Sequence, residues 1–277
     1  MKPAWFCRKF RLLAVLHICC ATACLGIFTV SAQTQTMPIE SLDGNPDFAG
    51  QYKKAYQEAK ARFEAQTNNA EAAWQFGRAC FDWADCAGSN AAREEIAVQG
   101  ITACRALIGQ DTNSAPGHYY LGMDLGQLAS TKTIGALKIV QEMEIEFKIA
   151  ISLDPRFDYA GPDRNLGLLY HQAPGWPMSI GGKSKARQHL QKALKLAPNY
   201  PENVINLIEA DLDWGDKNGA LRELKVLDEL WPAAQAEFTG EKWAPSWADW
   251  KPRRERAKKK AAEGSHAVEA PHKITDN

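Results

Sequence analysis

The fold is decided by three stretches of one chain: "AAWQFGRACFDWA" (72–84), "GHYYLGMDLGQLA" (117–129) and "PDRNLGLLYHQA" (162–173). Each stretch places a bulky apolar residue directly before a glycine. These glycines, Gly77, Gly122 and Gly167, lie at equal intervals of 45 residues. Similarity at a fixed period predicts a repeat architecture, in which each unit buries its apolar face against the next unit.

A fourth copy and a second segment in every unit extend this pattern. The stretch "PENVINLIEADLDWGD" (201–216) places Ile208 where the other copies have glycine. Each copy is followed by a segment with apolar residues at helical spacing, and three of these segments end in "LDP", "LAP" and "LWP". Because a glycine in the first helix lets the second helix approach closely, we predict an all-α solenoid of about four helical hairpins over residues 68–232.

The segments on either side are predicted to cap the solenoid. Residues 45–67 form an amphipathic helix that begins at a capping Asn45, and residues 233–263 form a capping segment that becomes a basic helix. The basic run from Lys251 to Lys260 is either a solvated helix end or a contact for anionic lipid. Residues 264–277 are predicted to be disordered.

The first 32 residues resemble an export signal. A basic start is followed by an apolar run from Leu12 to Val30 and by small residues that end at Ala32. We predict cleavage there and a periplasmic or secreted protein; the alternatives are a single membrane anchor and a lipoprotein anchored through Cys24. Removal of four basic residues from a chain with 33 basic and 33 acidic residues leaves a mildly acidic protein, which disfavours nucleic acid as a partner.

Three cysteines remain after the predicted cleavage site: Cys80, Cys86 and Cys104. In an oxidising compartment, three cysteines allow one disulfide and one spare thiol. We expect a Cys80–Cys104 disulfide, since both residues fall on the face that closes the first hairpin; pairing with Cys86 is the alternative. No histidine lies near them in the sequence, so we predict no metal site.

The repeats resemble the tetratricopeptide repeat, and "KARQHLQKALKLAPNYPEN" (185–203) is the best match. The period of 45 exceeds the usual 34 or so, which implies insertions in the hairpins. The stretch "PGWPMSIGGKSKA" (174–186) with the following "LAPNYPEN" also resembles the T component associated with tripartite ATP-independent periplasmic transporters. That resemblance implies an all-helical envelope protein with a cleft for a small apolar or acidic solute.

The tetratricopeptide resemblance also implies which side chains face the concave groove. They are Trp74, Arg78, Phe81 and Asp82; Tyr119, Met123 and Gln127; Arg164, Leu168, His171 and Gln172; and Ile205, Glu209, Leu212 and Asp213. Arg78, Arg164 and His171 are the candidates for binding an anionic group. The alternatives are that the aromatic residues belong to the core and that the cations pair with Asp82 or Asp163.

The insert between the two segments of the third unit ends in Gly182-Lys183-Ser184. A phosphate-binding loop would need glycine at position 177, which is Pro177, and a strand rather than a helix before it. We therefore predict a turn. Its Trp176 lies between two prolines and either fills a gap between hairpins or covers the groove.

No arrangement of catalytic residues emerges from the sequence. The six histidines are scattered, and Asp124 and Glu142 lie on predicted helices, where we expect solvated or capping roles. We predict a protein that is not an enzyme and has no cofactor. It is either an interaction scaffold for an envelope protein or a solute-binding accessory of an uptake system. An open, shallow groove favours the scaffold, whereas a deep cleft lined by Trp74, Tyr119, Leu168 and Trp176 favours the accessory.

Overall fold

The computed structural model describes residues 46–263, and all regular structure in that range is helical. The predictions for residues 1–32, Cys24, Asn45 and 264–277 lie outside the described residues. The helices are α1 (Pro46–Ala65), α2 (Ala70–Asp85), α3 (Asn90–Gln110), α4 (Ala115–Ala129), α5 (Ala136–Leu153), α6 (Phe157–Gln172), α7 (Lys183–Leu196), α8 (Pro201–Asp213), α9 (Lys217–Glu237) and α10 (Ala244–Ala262), with a short 3₁₀ turn at Glu241–Trp243.

Eight of these helices form the four predicted hairpins. The first helices, α2, α4, α6 and α8, are here called the A helices, and their partners α3, α5, α7 and α9 are called the B helices. Each A helix packs along its own B helix, and each B helix of the first three hairpins also contacts the next A helix. The prediction of an all-α helical solenoid is confirmed.

The repeated glycines occupy equivalent places in the first three hairpins. Gly77 packs against the sulfur of Cys104 on α3, Gly122 against the ring of Phe147 on α5, and Gly167 against Leu190 on α7. A Cβ atom would lie 2.7 Å from the Phe147 ring at Gly122, and 2.9 Å from the Leu190 side chain at Gly167. The absent side chain is therefore what allows the two helices of a hairpin to approach, as the spacing predicts.

Alanine at Gly122 is expected to lower the free energy of unfolding by about 1–3 kcal/mol, because Phe147 is fully buried and its ring must move. The matched control is Gly109→Ala, on the exposed side of α3, where a Cβ meets nothing within 4 Å. That change is expected to stabilise the protein by up to about 1 kcal/mol, since alanine is the better helix former. Urea unfolding of both variants tests this; an equal effect at the two sites would contradict the close-packing role.

The helix ends follow local sequence signals, with one exception. The side chains of Asn69, Ser89, Ser114 and Asp216 accept hydrogen bonds from backbone N–H groups in the first turns of α2, α3, α4 and α9. Helices α5 and α7 end before the prolines of "LDP" and "LAP", as predicted. The expected stop at "LWP" is wrong, because α9 continues through Pro232 to Glu237. Beyond the proline, Ala234 and Phe238 are buried in the C-terminal core, and this burial offsets the lost hydrogen bond.

Helices α1 and α10 lie at the two ends of the stack. On α1, the rings of Tyr56 and Phe63 lie 5.8 and 5.4 Å from that of Phe76 on the first A helix. On α10, Trp250 is fully buried among aromatic rings of the C-terminal core, including Tyr200 at 5.4 Å. Both helices thus cover apolar surface that an end repeat would leave exposed. None of the described helices combines the length and the apolar character needed to cross a membrane.

The predicted Cys80–Cys104 disulfide is not present, because both residues are free thiols, and neither is joined to Cys86. The sulfur of Cys104 packs against Gly77, one helical turn before Cys80, and fills the space that the glycine leaves. Burial raises the pKa of the Cys80 and Cys104 thiols, and so does the nearby carboxyl of Asp124. The first hairpin is therefore held by packing around neutral thiols. Within residues 46–263, no three metal-ligating side chains cluster.

Candidate binding groove

The A helices provide the inner wall of the solenoid. Helix α2 contacts α4, α4 contacts α6, and α6 contacts α8, so A helices of successive hairpins adjoin each other. A small pocket opens on this wall where α2, α4 and the start of α6 meet. Its volume of about 10 Å³ is about that needed for one water molecule. All of its lining residues except Tyr120 and Asp158 are predicted groove residues; the lining consists of Arg78, Phe81, Asp82, Tyr119, Tyr120, Met123 and Asp158.

One side of the pocket carries opposite charges one helical turn apart. The Nε atom of Arg78 lies 3.9 Å from a carboxylate oxygen of Asp82, and their side chains are 21% and 15% exposed. Burial lowers the pKa of the Arg78 guanidinium, but Tyr120 and the carboxylates of Asp82 and Asp158 more than offset this, so the pKa is raised. The pocket therefore offers a charged donor beside a charged acceptor. The predicted alternative for Arg78, pairing with Asp82, is what the structure shows.

The opposite side of the pocket is made by an unusual turn at the start of α6. Asp158, Tyr159 and Ala160 have φ values of 48°, 55° and 61°, and the right-handed helix continues from Gly161 and Pro162. Left-handed backbone is costly for residues with a Cβ atom and persists only where the surroundings impose it. None of the three residues is glycine, so no signal for this turn is present in the sequence.

Arg164 holds the turn in place. Its Nη1 donates to the backbone carbonyls of Asp158 and Tyr159 at 3.2 and 3.1 Å, and its Nη2 donates to the Asp158 carboxylate at 3.0 Å. The hydroxyl of Tyr119 donates to the same carboxylate at 2.7 Å. Arg164 is fully buried, so it supports the pocket from behind. The prediction that Arg164 grips an anion on the open wall is corrected, and its partner is Asp158 rather than Asp163.

Aromatic rings form the floor beside the pocket. Trp74 on α2 stacks on Tyr120 of α4 with the ring centroids 5.8 Å apart and the planes 8° apart. The ring of Phe157 meets Trp74, Tyr119 and Tyr120 edge-on at 6.2, 5.3 and 6.1 Å. Trp74 is half-buried, so one part of it belongs to this cluster and the rest remains accessible. The rigid cluster fixes the pocket that it borders.

Several predicted groove residues are part of the core. Tyr119, Met123, Leu168 and Ile205 are buried, with 1% exposure or less, and Gln127 is also buried. Phe81, Tyr119 and Met123 line the pocket, although all three side chains are largely buried. His171 lies within hydrogen-bonding distance of Asp213, at 3.4 Å, and its ring meets Trp214 edge-on at 5.1 Å. It therefore does not join Arg78 in a common site.

The fourth unit is closed by α10. Arg253 donates to both carboxylate oxygens of Glu209, at 2.9 and 2.7 Å, and to Asp249 at 2.8 Å. Glu202 lies fully buried beside this network, and burial raises its pKa to about 7, a rise that Arg164 and Arg253 partly offset. The predicted groove positions Ile205 and Glu209 are therefore covered by the C-terminal helix. Leu212 is half-buried and Asp213 is exposed, so only the end of α8 remains accessible on the wall of this unit.

Trp176 lies away from the pocket. Its side chain is 88% exposed, so it neither fills a gap between hairpins nor covers the groove, and both predictions for it are corrected. The base of its loop is closed by hydrogen bonds from Gly181 N–H to Pro174 O and from Gly182 N–H to Tyr170 O, each 2.9 Å. These bonds hold the tryptophan outward at the end of the hairpin.

Asp124 differs most from its prediction, because it is fully buried rather than solvated. Its carboxyl lies against Gly100, in the space that a Cβ at Gly100 would occupy. Within the described part of the chain, neither carboxyl oxygen has a hydrogen-bond partner. Burial, and to a lesser degree Asp82, raises its pKa well above the ordinary value. We therefore expect the Asp124 carboxyl to make the stability of the fold depend on pH, and not to bind a ligand.

Comparison with known proteins supports the fold but not a narrower identity. No protein-family model and no curated protein matches the sequence. Among solved structures, the thermophilic tetratricopeptide-repeat protein TTC0263 of Thermus thermophilus is similar, with a TM-score of 0.57, 18% identity, and coverage of 76% of this chain and 92% of that one. A crystal structure of MamA gives a TM-score of 0.46 at 19% identity, covering 68% and 92% of the two chains. The chain thus has the helical-repeat fold of tetratricopeptide-repeat proteins.

Proposed function

We propose that this chain is a non-enzymatic helical-repeat binding protein, a scaffold that holds an extended segment of a protein partner along its A helices. The pocket between Arg78, Asp82 and Asp158 carries this proposal. It accepts no more than a small polar group, yet it presents charged donors and acceptors on a rigid aromatic floor. A peptide supplies such groups one at a time along its length, and this is how grooves in stacked helices bind their partners.

The alternative of a solute-binding accessory needs a larger, closed site. Ligand pockets for small molecules usually enclose about 300–1,000 Å³, whereas the pocket on this wall encloses about 10 Å³. The cleft that would favour the accessory was expected to include Leu168 and Trp176. Leu168 is buried and Trp176 points into solvent, and these two positions favour the scaffold.

Co-purification from the native envelope tests the scaffold. Asp82→Asn removes the charge and keeps the side-chain shape, and Arg78→Gln removes the charge and keeps a shorter polar side chain; we expect either change to lower recovery of a specific partner about tenfold. The control is Arg105→Gln, which removes a charge from an exposed pair on the B helix α3. Equal thermal stability of the three variants shows that the fold is retained.

Two outcomes would contradict this assignment. Unchanged partner recovery in both pocket variants would remove the pocket from the interface. Stabilisation of the wild type by small acids in a thermal-shift screen, lost in Arg78→Gln, would instead support the solute-binding alternative. The proposed export of the chain is checked on the same preparation, since its intact mass distinguishes cleavage after Ala32 from lipid attachment at Cys24.

A further inference from the structure

Two loops that join A helices to B helices expose large apolar side chains. Ile134, in the loop between α4 and α5, is 90% exposed. In the loop between α6 and α7, Trp176 is 88% and Met178 62% exposed. Large apolar side chains that cluster in solvent usually mark a contact with another surface.

Both loops lie at the same edge of the solenoid, because the A helices run parallel. Near the starts of the helices, Arg164 of α6 donates to Asn203 of α8 at 3.2 Å, and at their ends His171 lies 3.4 Å from Asp213. Helix α5 packs against both α4 and α6 and is joined to each by a short connection, so α4 and α6 run in the same direction. The loops after α4 and α6, residues 130–135 and 173–182, therefore leave at one edge, here called the loop edge.

The end of the basic helix α10 lies at this edge as well. Lys260 bonds Asp213, the last residue of α8, at 3.0 Å. Lys259 precedes it and is largely exposed. The basic run that the sequence assigns either to solvent or to anionic lipid thus ends at the same edge of the solenoid as the exposed apolar loops.

Among the described residues near the larger loop, Lys183 and Lys185 carry the unpaired positive charge, because Arg187 pairs with Asp211 and Asp216, and Lys192 pairs with Asp163. No aspartate or glutamate occurs from position 164 to position 201, whereas six lysines and arginines do. Lys183 and Lys185 follow the loop directly and are exposed; within the described residues neither has a carboxylate within salt-bridge distance, although Lys185 lowers the pKa of Glu144. Their ammonium groups lie over the rings of Trp214 and Tyr170 at 5.5 and 5.1 Å.

The smaller loop, residues 130–135, also combines an exposed apolar side chain with nearby lysines, but one of these lysines is neutralised. Lys138, in the first turn of α5, is exposed and follows Ile134 by four positions in the chain. Lys132 pairs with Glu94, so it adds no net charge to the edge. An apolar tip with adjacent lysines is therefore present in two neighbouring hairpins.

The apolar tips are held in place before any contact is made. In the larger loop the base is closed by the two backbone bonds to Pro174 and Tyr170, and Met178 N–H donates to Gly175 O at 3.1 Å. Prolines on both sides of Trp176 further restrict the backbone. Insertion of a preordered tip loses little conformational entropy.

We propose that the loop edge docks on an anionic lipid bilayer. Trp176, Met178 and Ile134 enter the interface, where tryptophan is favoured because its ring is apolar and its N–H is polar. Lys183, Lys185 and Lys138 face the lipid headgroups, and their positive charges are attracted to the anionic surface. Two separate convex tips suit a continuous, deformable surface better than a protein pocket shaped for one of them.

Vesicle co-sedimentation tests this with the full chain, using phosphatidylcholine vesicles with or without phosphatidylglycerol. We expect binding to require phosphatidylglycerol, and Trp176→Ala with Met178→Ser to weaken it about tenfold. Lys183→Gln with Lys185→Gln is expected to remove most of the dependence on lipid charge. The control is Ile145→Ser, at a 56% exposed position in the middle of α5. All variants have the same N-terminus, so any vesicle binding by residues 1–32 is the same in each of them.

A spectroscopic test reports insertion of the tip itself. Lipids brominated in their acyl chains should quench the wild-type fluorescence, and Trp176→Leu should keep the binding but lose most of the quenching. Equal vesicle binding by the wild type and the tip variants would overturn the proposal. It would also be overturned if the tip variants lost a co-purifying protein but bound vesicles as the wild type does. Arg78→Gln should bind vesicles normally, which separates this proposal from the one for the groove.

Discussion

Asparagine at position 124 is expected to stabilise the protein by about 3 kcal/mol near neutral pH, because it removes the cost of keeping an acid buried without a partner. Asp124 is fully buried, and neither carboxyl oxygen has a hydrogen-bond partner among the described residues. Asparagine has nearly the same shape, so it fits the space beside Gly100 that the carboxyl occupies. Its own unsatisfied amide limits the gain.

The sign of the pH dependence follows from the direction of the pKa shift. Burial raises the folded-state pKa of Asp124 well above the value near 4 of an unfolded chain. The folded state therefore binds the proton more tightly, and its stability is greatest below the unfolded-state pKa. As the pH rises toward the folded-state pKa, the free energy of unfolding falls by about 1.4 kcal/mol per pH unit.

Urea unfolding between about pH 5 and pH 8 measures this slope in both proteins. Glu202, whose pKa burial raises to about 7, contributes a slope of the same sign, but it does so in both proteins and cancels in the difference. Glu58→Gln, which removes an exposed carboxylate from α1, is the matched control. Parallel curves for the wild type and Asp124→Asn would show that Asp124 is not the titrating group.

The sequence predicts the hairpins well because their determinants are local and repeated. The glycine of each first helix, the apolar spacing of each second helix and the prolines after α5 and α7 all act within one unit. Close packing at Gly77, Gly122 and Gly167 repeats the same geometry three times. The failure at Pro232 has a tertiary cause, since residues beyond the proline are buried against α10.

The groove is predicted less well because its accessibility depends on distant segments. Five residues that the repeat phase assigns to the groove lie around one pocket: Arg78, Phe81, Asp82, Tyr119 and Met123. The covering of the fourth unit by α10 requires contacts across 44 residues or more, such as that between Arg253 and Glu209. A periodic pattern contains no information on such contacts.

Two features leave no periodic signal at all. The left-handed turn at residues 158–160 contains no glycine, and it depends on a buried arginine that follows it in the chain. Asp124 has the same position on its helix as many solvated carboxylates, yet it faces Gly100 of the neighbouring helix. Both features result from which helix packs on which, and only the assembled solenoid determines that.

Methionine at position 164 is expected to lower the free energy of unfolding by about 3–5 kcal/mol, because it leaves a buried carboxylate without its cation. Asp158 lies 3.0 Å from the Arg164 guanidinium, and both side chains are nearly inaccessible. The same change removes the Arg164 hydrogen bonds to the carbonyls of Asp158 and Tyr159, of which Tyr159 keeps only the bond from Asn203. Since these groups belong to the left-handed turn, we also expect the pocket wall at Asp158 to become disordered.

Urea unfolding of Arg164→Met is to be compared with Arg105→Met, which breaks an exposed pair with Glu142 at 2.6 Å. The exposed pair should cost no more than about 1 kcal/mol, because water replaces the lost partner. A double change, Arg164→Met with Asp158→Asn, should recover part of the loss, since the unpaired charge is then absent. Arg164→Lys should rescue little, because one ammonium cannot reach the carboxylate and both carbonyls with the geometry of the planar guanidinium. Equal losses at positions 164 and 105 would mean that the turn is stable without its arginine, and the strain at Asp158–Ala160 would then require another source of support.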